Sequence, residues 1–161
     1  MNSEFTIAVH CLVFLSMRSE CMANSEDLSQ SVGTHPARVR KVLSVLRKHG
    51  YLTTKEGAHG GYLLSRPSEE IKLGELYRLV AGGSLGPSWC SGESGSPCKV
   101  SSNMQGVMGA IYDGGEEALS AYFDRISILD VQQSIERGES PLSMKACSES
   151  RQEQEQEQEK S

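Results

Sequence analysis

No stretch of this chain is apolar for long enough to cross a membrane. The longest, residues 7–15, is interrupted by His10 and preceded by Glu4, where a signal peptide would carry a basic start. A soluble protein of the cytoplasm, without membrane contact, is the expectation. Signatures of catalysis are also missing: there is no GxxxxGK phosphate loop, no dinucleotide fingerprint, no CxxC pair and no two histidines at helical metal-ligand spacing. Nor does any nucleophile stand with a base in a plausible arrangement, so neither an enzyme nor a resident metal is expected. The five cysteines, Cys11, Cys21, Cys90, Cys98 and Cys147, form no even framework. A cytosolic chain keeps its thiols reduced unless they react or bind metal, which disfavours structural disulfides. With 161 residues and 37% hydrophobic content, the chain can bury one compact core and hardly two.

Positive charge is scarce overall, at a net charge of -5, but it is not scarce everywhere. Residues 35–66 hold seven basic side chains (Arg38, Arg40, Lys41, Arg47, Lys48, Lys55, Arg66) against one acid, Glu56, a local charge of +6. Three of the four histidines lie in the same window. Residues 84–161 hold six basic and thirteen acidic residues, or -7, part of it in the alternating Gln/Glu run at 152–159. Affinity for phosphate follows local patches, so the basic window is the candidate nucleic-acid surface. The Gln/Glu run reads as a solvated, disordered end without an assigned role.

Periodicity supplies the elements. Residues 5–17 are apolar nearly all round, which predicts a helix buried between others. Ser25 with Glu26 and Asp27 makes a helix start, Leu28 and Val32 the inward face and Gly33 the stop. Pro36 suits the first turn of a second helix running to about His49. There Val39, Val42, Leu43 and Leu46 fall on one side, while Ala37, Lys41, Ser44 and Lys48 fall opposite, flanked by Arg38 and Arg40. Helix, glycine-containing turn and basic helix make a helix-turn-helix, whose second helix enters the major groove. Residues 51–54 and 61–65 read as short strands joined by a Gly-rich loop, a β-hairpin wing. Candidate DNA contacts are therefore Ala37, Arg38, Arg40, Lys41, Ser44 and Lys48 on the helix, with Lys55, His59, Gly60 and Tyr62 on the wing.

The order of these features is more specific than any one of them. Val39-Arg40-Lys41-Val42-Leu43, then Leu46-Arg47-Lys48-His49-Gly50-Tyr51-Leu52, then Gly60-Gly61-Tyr62-Leu63-Leu64 with Arg66-Pro67, then residues 70–76 closely resemble the Rrf2 family of bacterial transcription regulators. The likeness extends in weaker form to about Ile135. It implies a homodimer that binds an imperfect palindromic operator in double-stranded DNA and usually represses. Many relatives carry a wing arginine where this chain has Glu56, so His59 stands as the substitute.

Residues 73–81 read as a short helix, followed by a Gly/Pro-rich loop with Cys90 and Cys98. Residues 104–112 read as helical and residues 116–135 as a long amphipathic helix. Leu119, Tyr122, Phe123, Ile126 and Leu129 form its stripe, the candidate dimerisation face. The fold expected is mostly α with a small β-hairpin wing: a winged helix-turn-helix domain at 1–83, a cysteine-bearing sensor loop at 84–100, dimerisation helices at 101–138 and an acidic tail at 139–161. In the family this loop often ligates an iron-sulfur cluster through three cysteines. The third is missing here, with Met104 about where it would stand. Thiol-based redox sensing through Cys90 and Cys98, without a cofactor, is the favoured reading. The alternatives are a cluster-sensing regulator and a winged-helix module that binds protein instead of DNA.

Overall fold

A computed structural model describes residues 3–57, 60–83, 85–86, 89 and 91–138. His59, Cys90 and the acidic tail thus lie outside the described residues. The chain runs α1 (Ser3–Ser16), β1 (Met22–Ala23), α2 (Ser25–Val32), α3 (Pro36–Lys48), β2 (Leu52–Lys55), β3 (Gly61–Leu64), α4 (Leu73–Val80), α5 (Lys99–Asp124) and α6 (Ile128–Arg137). No helix among the described residues is long and apolar enough to cross a membrane.

α1 is the central element, as its all-round apolar character requires. Phe5, Ile7, Ala8, Cys11, Leu12, Val13 and Leu15 are buried, and the helix touches α2, α3, α4, α6 and β3. Met17 lies past its end and is exposed, so the helix stops one residue earlier than hydropathy predicts. The cap of α2 is Asn24, not Ser25: its Oδ1 accepts the backbone N–H groups of Glu26 and Asp27 at 2.9 and 2.8 Å. Both residues are good caps by type. The choice falls on Asn24 because β1 fixes the chain in an extended conformation up to that point.

The wing is larger than a hairpin. β3 pairs antiparallel with β2 and also with β1, giving the order β1-β3-β2. A two-residue strand carries no periodicity signal, which hid β1. Its approach accounts for Gly61, where a Cβ would meet the Ala23 carbonyl oxygen at 2.6 Å.

The C-terminal half differs most from expectation. The residues between 104 and 135 do not form two helices broken near Gly114-Gly115; α5 runs unbroken through both glycines and ends at Asp124. Glycine lowers helix propensity by about 1 kcal/mol without forbidding helix. The break lies at Ser127, whose side chain caps α6 in a reciprocal capping box with Asp130. Backbone pairing pins that corner to the segment before α4: Leu73 N–H donates to the Ile126 carbonyl at 2.8 Å and Ile128 N–H to the Ile71 carbonyl at 3.0 Å. α4 and α5 then pack closely. Phe5, Tyr77 and Phe123 form an aromatic triad with centroids 5.1–5.5 Å apart, and Arg78 grips Asp124 with two 2.8 Å bonds. Gly74 leaves room for that carboxylate, since a Cβ there would lie 2.0 Å from Asp124 Oδ1.

Candidate nucleic-acid interface and sensor loop

The turn between α2 and α3 is held by Gly33, whose φ of 70° is readily available only to glycine, and by the Thr34 N–H to Ser29 carbonyl bond at 3.2 Å. His35 caps α3, its Nδ1 accepting the Ala37 N–H at 3.2 Å. Pro36 follows at the position where a missing N–H costs nothing. Val39, Val42, Leu43 and Leu46 are all buried, which locks the rotation of α3 about its axis. The same rotation leaves Ala37, Arg38, Arg40, Lys41, Ser44 and Lys48 exposed together. The six expected helix positions therefore share one solvent face.

Of the wing positions, Lys55 is exposed, whereas Gly60 and Tyr62 are half-buried, Tyr62 being packed against the core. Gly60 is required by its own chain: a Cβ there would lie 2.3 Å from the Lys55 carbonyl oxygen, in a turn closed by the Gly60 N–H to Gly57 carbonyl bond at 2.9 Å. The glycines of the wing thus need no ligand to explain them.

The expected dimerisation stripe is largely spent inside the protomer. Ile126 is buried, Leu119 and Phe123 pack against the core and Leu129 is half-buried, leaving Tyr122 exposed. A different stripe is bare. α5 is 26 residues long with no buried residue, and Val100, Val107 and Ile111 are 64%, 55% and 58% exposed. With Met104 they follow steps of four, three and four, the seam of a helix pair. That spacing is legible in the sequence. It escapes notice when the helix is begun at Met104 and stopped at Tyr112.

Cys98 is exposed at the N-cap of α5. Its side chain makes no full capping hydrogen bond, yet the N–H groups of Ser101 and then Val100 face the sulfur and hold the thiol below its ordinary pKa. Cys11 is the opposite case, its pKa pushed up to about 12 by burial in α1. Among the described residues no group of three or more His, Cys, Asp or Glu is placed to hold a metal ion.

Residues 1–134 match the Rrf2 family, described as iron-dependent transcriptional regulators. The chain is similar to YwnA of Bacillus subtilis (strain 168), named as an HTH-type transcriptional regulator, with 30% identity over 132 residues covering 81% of this chain and 96% of YwnA. A solved structure of a transcriptional regulator from Lactobacillus plantarum superposes with a TM-score of 0.79 at 27% identity, covering 92% of this chain and 99% of that one. Staphylococcus aureus CymR shares the fold, with a TM-score of 0.60 at 19% identity over 81% of this chain and 96% of CymR. The family description implies iron, and the donor set does not fit a cluster held by three loop thiolates. The loop has two cysteines, and the first turns of α5 offer Lys99, Ser102, Asn103 and Met104.

The thiols give a direct check on this geometry. At pH 7 iodoacetamide should modify Cys98 in native protein rapidly, with a pH midpoint below that of a free thiol, and should spare Cys11 until denaturant is added. Peptide mapping after timed quenching reads both.

Proposed function

The chain belongs to the Rrf2 family of transcriptional regulators, and on that footing we propose that it acts as a homodimeric, sequence-specific repressor. Its two recognition helices read an imperfect palindrome, and its loop thiols report redox state. The carrying observation is the bare apolar seam on α5. A 26-residue helix with three strongly exposed aliphatic residues at coiled-coil spacing is costly in water, and a second copy of the same helix covers it by symmetry. Gly114, Ala118 and Ala121 continue the seam with small, exposed residues that allow close approach. The contact moves from the Leu119–Leu129 face to Val100, Met104, Val107, Ile111 and Tyr122. Pairing two protomers links two copies of α3, whose basic faces then bind two half-sites together.

Cys98 stands two residues from Val100, at the start of the helix that carries the seam. Its thiolate attacks hydrogen peroxide; the S–O bond forms as the O–O bond breaks, giving a sulfenic acid and hydroxide. The Cys90 thiol then displaces water from that sulfur to form a disulfide. Either product changes the N-terminus of α5, and a small shift there alters the separation of the two recognition helices.

Each part has its own measurement. Arg40→Ala should cost about 1–3 kcal/mol of operator binding with little change in melting temperature; titrations at several salt concentrations distinguish a lost phosphate contact, which lowers the salt slope by about one, from a lost base contact, which relaxes sequence preference. Ile111→Glu should turn the dimer into a folded monomer by sedimentation velocity; a monomeric native protein would refute the seam. Peroxide should change operator affinity reversibly, and Cys98→Ser should abolish the change.

A further inference from the structure

The exposed cations of α3 are not equivalent. The Arg40 side chain makes no hydrogen bond or ion pair among the described residues. Lys41 does: its Nζ lies 2.6 Å from Oε1 of Glu4 in the first turn of α1. One turn earlier, Arg38 donates to the Ser3 hydroxyl. These contacts join residues 37 and 35 apart in sequence, so they depend on how α1 and α3 are seated. The seating is rigid, because Phe5, Ile7 and Ala8 immediately beyond Glu4 are buried. The Glu4 side chain is 26% exposed while that of Lys41 is 68% exposed. A fixed carboxylate thus stands behind a cation that faces solvent, on the helix face proposed to enter the groove.

We infer that Glu4 is a specificity-determining residue of the DNA interface. The inference rests on the DNA-binding reading above. A lysine paired with a fixed carboxylate presents almost no net charge to a phosphate, so it contributes little to the salt-dependent attraction that governs indiscriminate binding. Its ammonium still has three donors, and Glu4 occupies one. The side chain is 68% exposed, which leaves the other two N–H groups open to a base-edge acceptor such as guanine O6 or N7. Glu4 therefore lowers affinity for DNA in general, keeps affinity for the right sequence and raises the ratio between them. Arg40, without such a partner, is left to the phosphates and bases alike.

The test uses the full-length protein and two duplexes: one recovered by the native protein from a randomised pool, and one of the same composition in scrambled order. Glu4→Gln should bind the scrambled duplex about three- to fivefold more tightly at low salt, the range expected when an exposed ion pair no longer competes. Its salt slope should steepen by about 0.9, one more phosphate neutralised. Affinity for the selected duplex should change by less than about twofold, so discrimination falls. Glu4→Asp, which keeps the charge, should hold the native slope, and circular dichroism confirms that both variants fold. Adding Lys41→Met to Glu4→Gln should return the salt slope to the native value, because the released ammonium is what neutralises the extra phosphate. A native protein that separates the two duplexes, with Glu4→Gln matching it in slope and ratio, overturns the inference alone, as does an effect that survives Lys41→Met. A native protein that binds neither duplex overturns the DNA-binding reading along with it.

Discussion

The burial of α1 is the constraint on which the rest of the molecule depends. Seven of its residues are enclosed, by α2, α3, α4, α6 and β3 and, at Phe5, by Phe123 of α5. Removing one fully buried leucine from such a site costs about 2–5 kcal/mol, against a total stability of about 5–15 kcal/mol for a domain. α1 therefore does more than fill space. Its inward residues fix the rotation of α3 and hence which side chains of that helix face outward. Phe5 joins Tyr77 and Phe123, so the same helix also fixes where α4 lies and where α5 departs.

From that departure point α5 extends without a buried residue, tied to the loop before it by the Gly83 N–H to Glu116 carboxylate bond at 2.7 Å and the Glu93 N–H to Ser101 carbonyl bond at 3.1 Å. The Arg78–Asp124 pair and the backbone links around Ser127 anchor its C-terminal end, and the Asp124 carboxylate is held below its usual pKa by the Arg78 hydrogen bonds. The opposite end begins at Cys98. A helix with an exposed thiol of lowered pKa at one end, an anchored corner at the other and an apolar seam between has the parts that the proposed switch requires. The candidate recognition face, by contrast, is carried by a helix whose Val39, Val42, Leu43 and Leu46 are all buried, which suits a surface that has to present several side chains in one orientation.

Much of this was legible in the residues. The 3.6-residue spacing of Val39, Val42, Leu43 and Leu46 placed α3 and its exposed face, because one helix packed on one core leaves no other rotation that buries all four. Gly33 and Pro36 marked the turn because each has a conformational preference of its own. The C-terminal half was read less well. Gly114 and Gly115 look like a break, but an isolated glycine pair only weakens a helix, and nothing local made α5 stop there. Likewise Leu119, Phe123 and Ile126 show the spacing of an interface, and spacing cannot say whether the surface that covers them belongs to the same chain.

The sequence by itself thus determined the local elements, the basic face of α3, the reactive loop's shortage of thiols and the family, since all of these follow from residue type and near-neighbour order. Only the tertiary structure decided the partners. β1 exists because β3 lies beside it, Asn24 caps α2 because β1 delivers it there, and Glu4 meets Lys41 because α1 is seated against α3. The same packing consumed one apolar stripe of the C-terminal helices and left another bare. Local order fixes what a side chain can do, and contacts between residues far apart in the chain fix which of those things it is free to do.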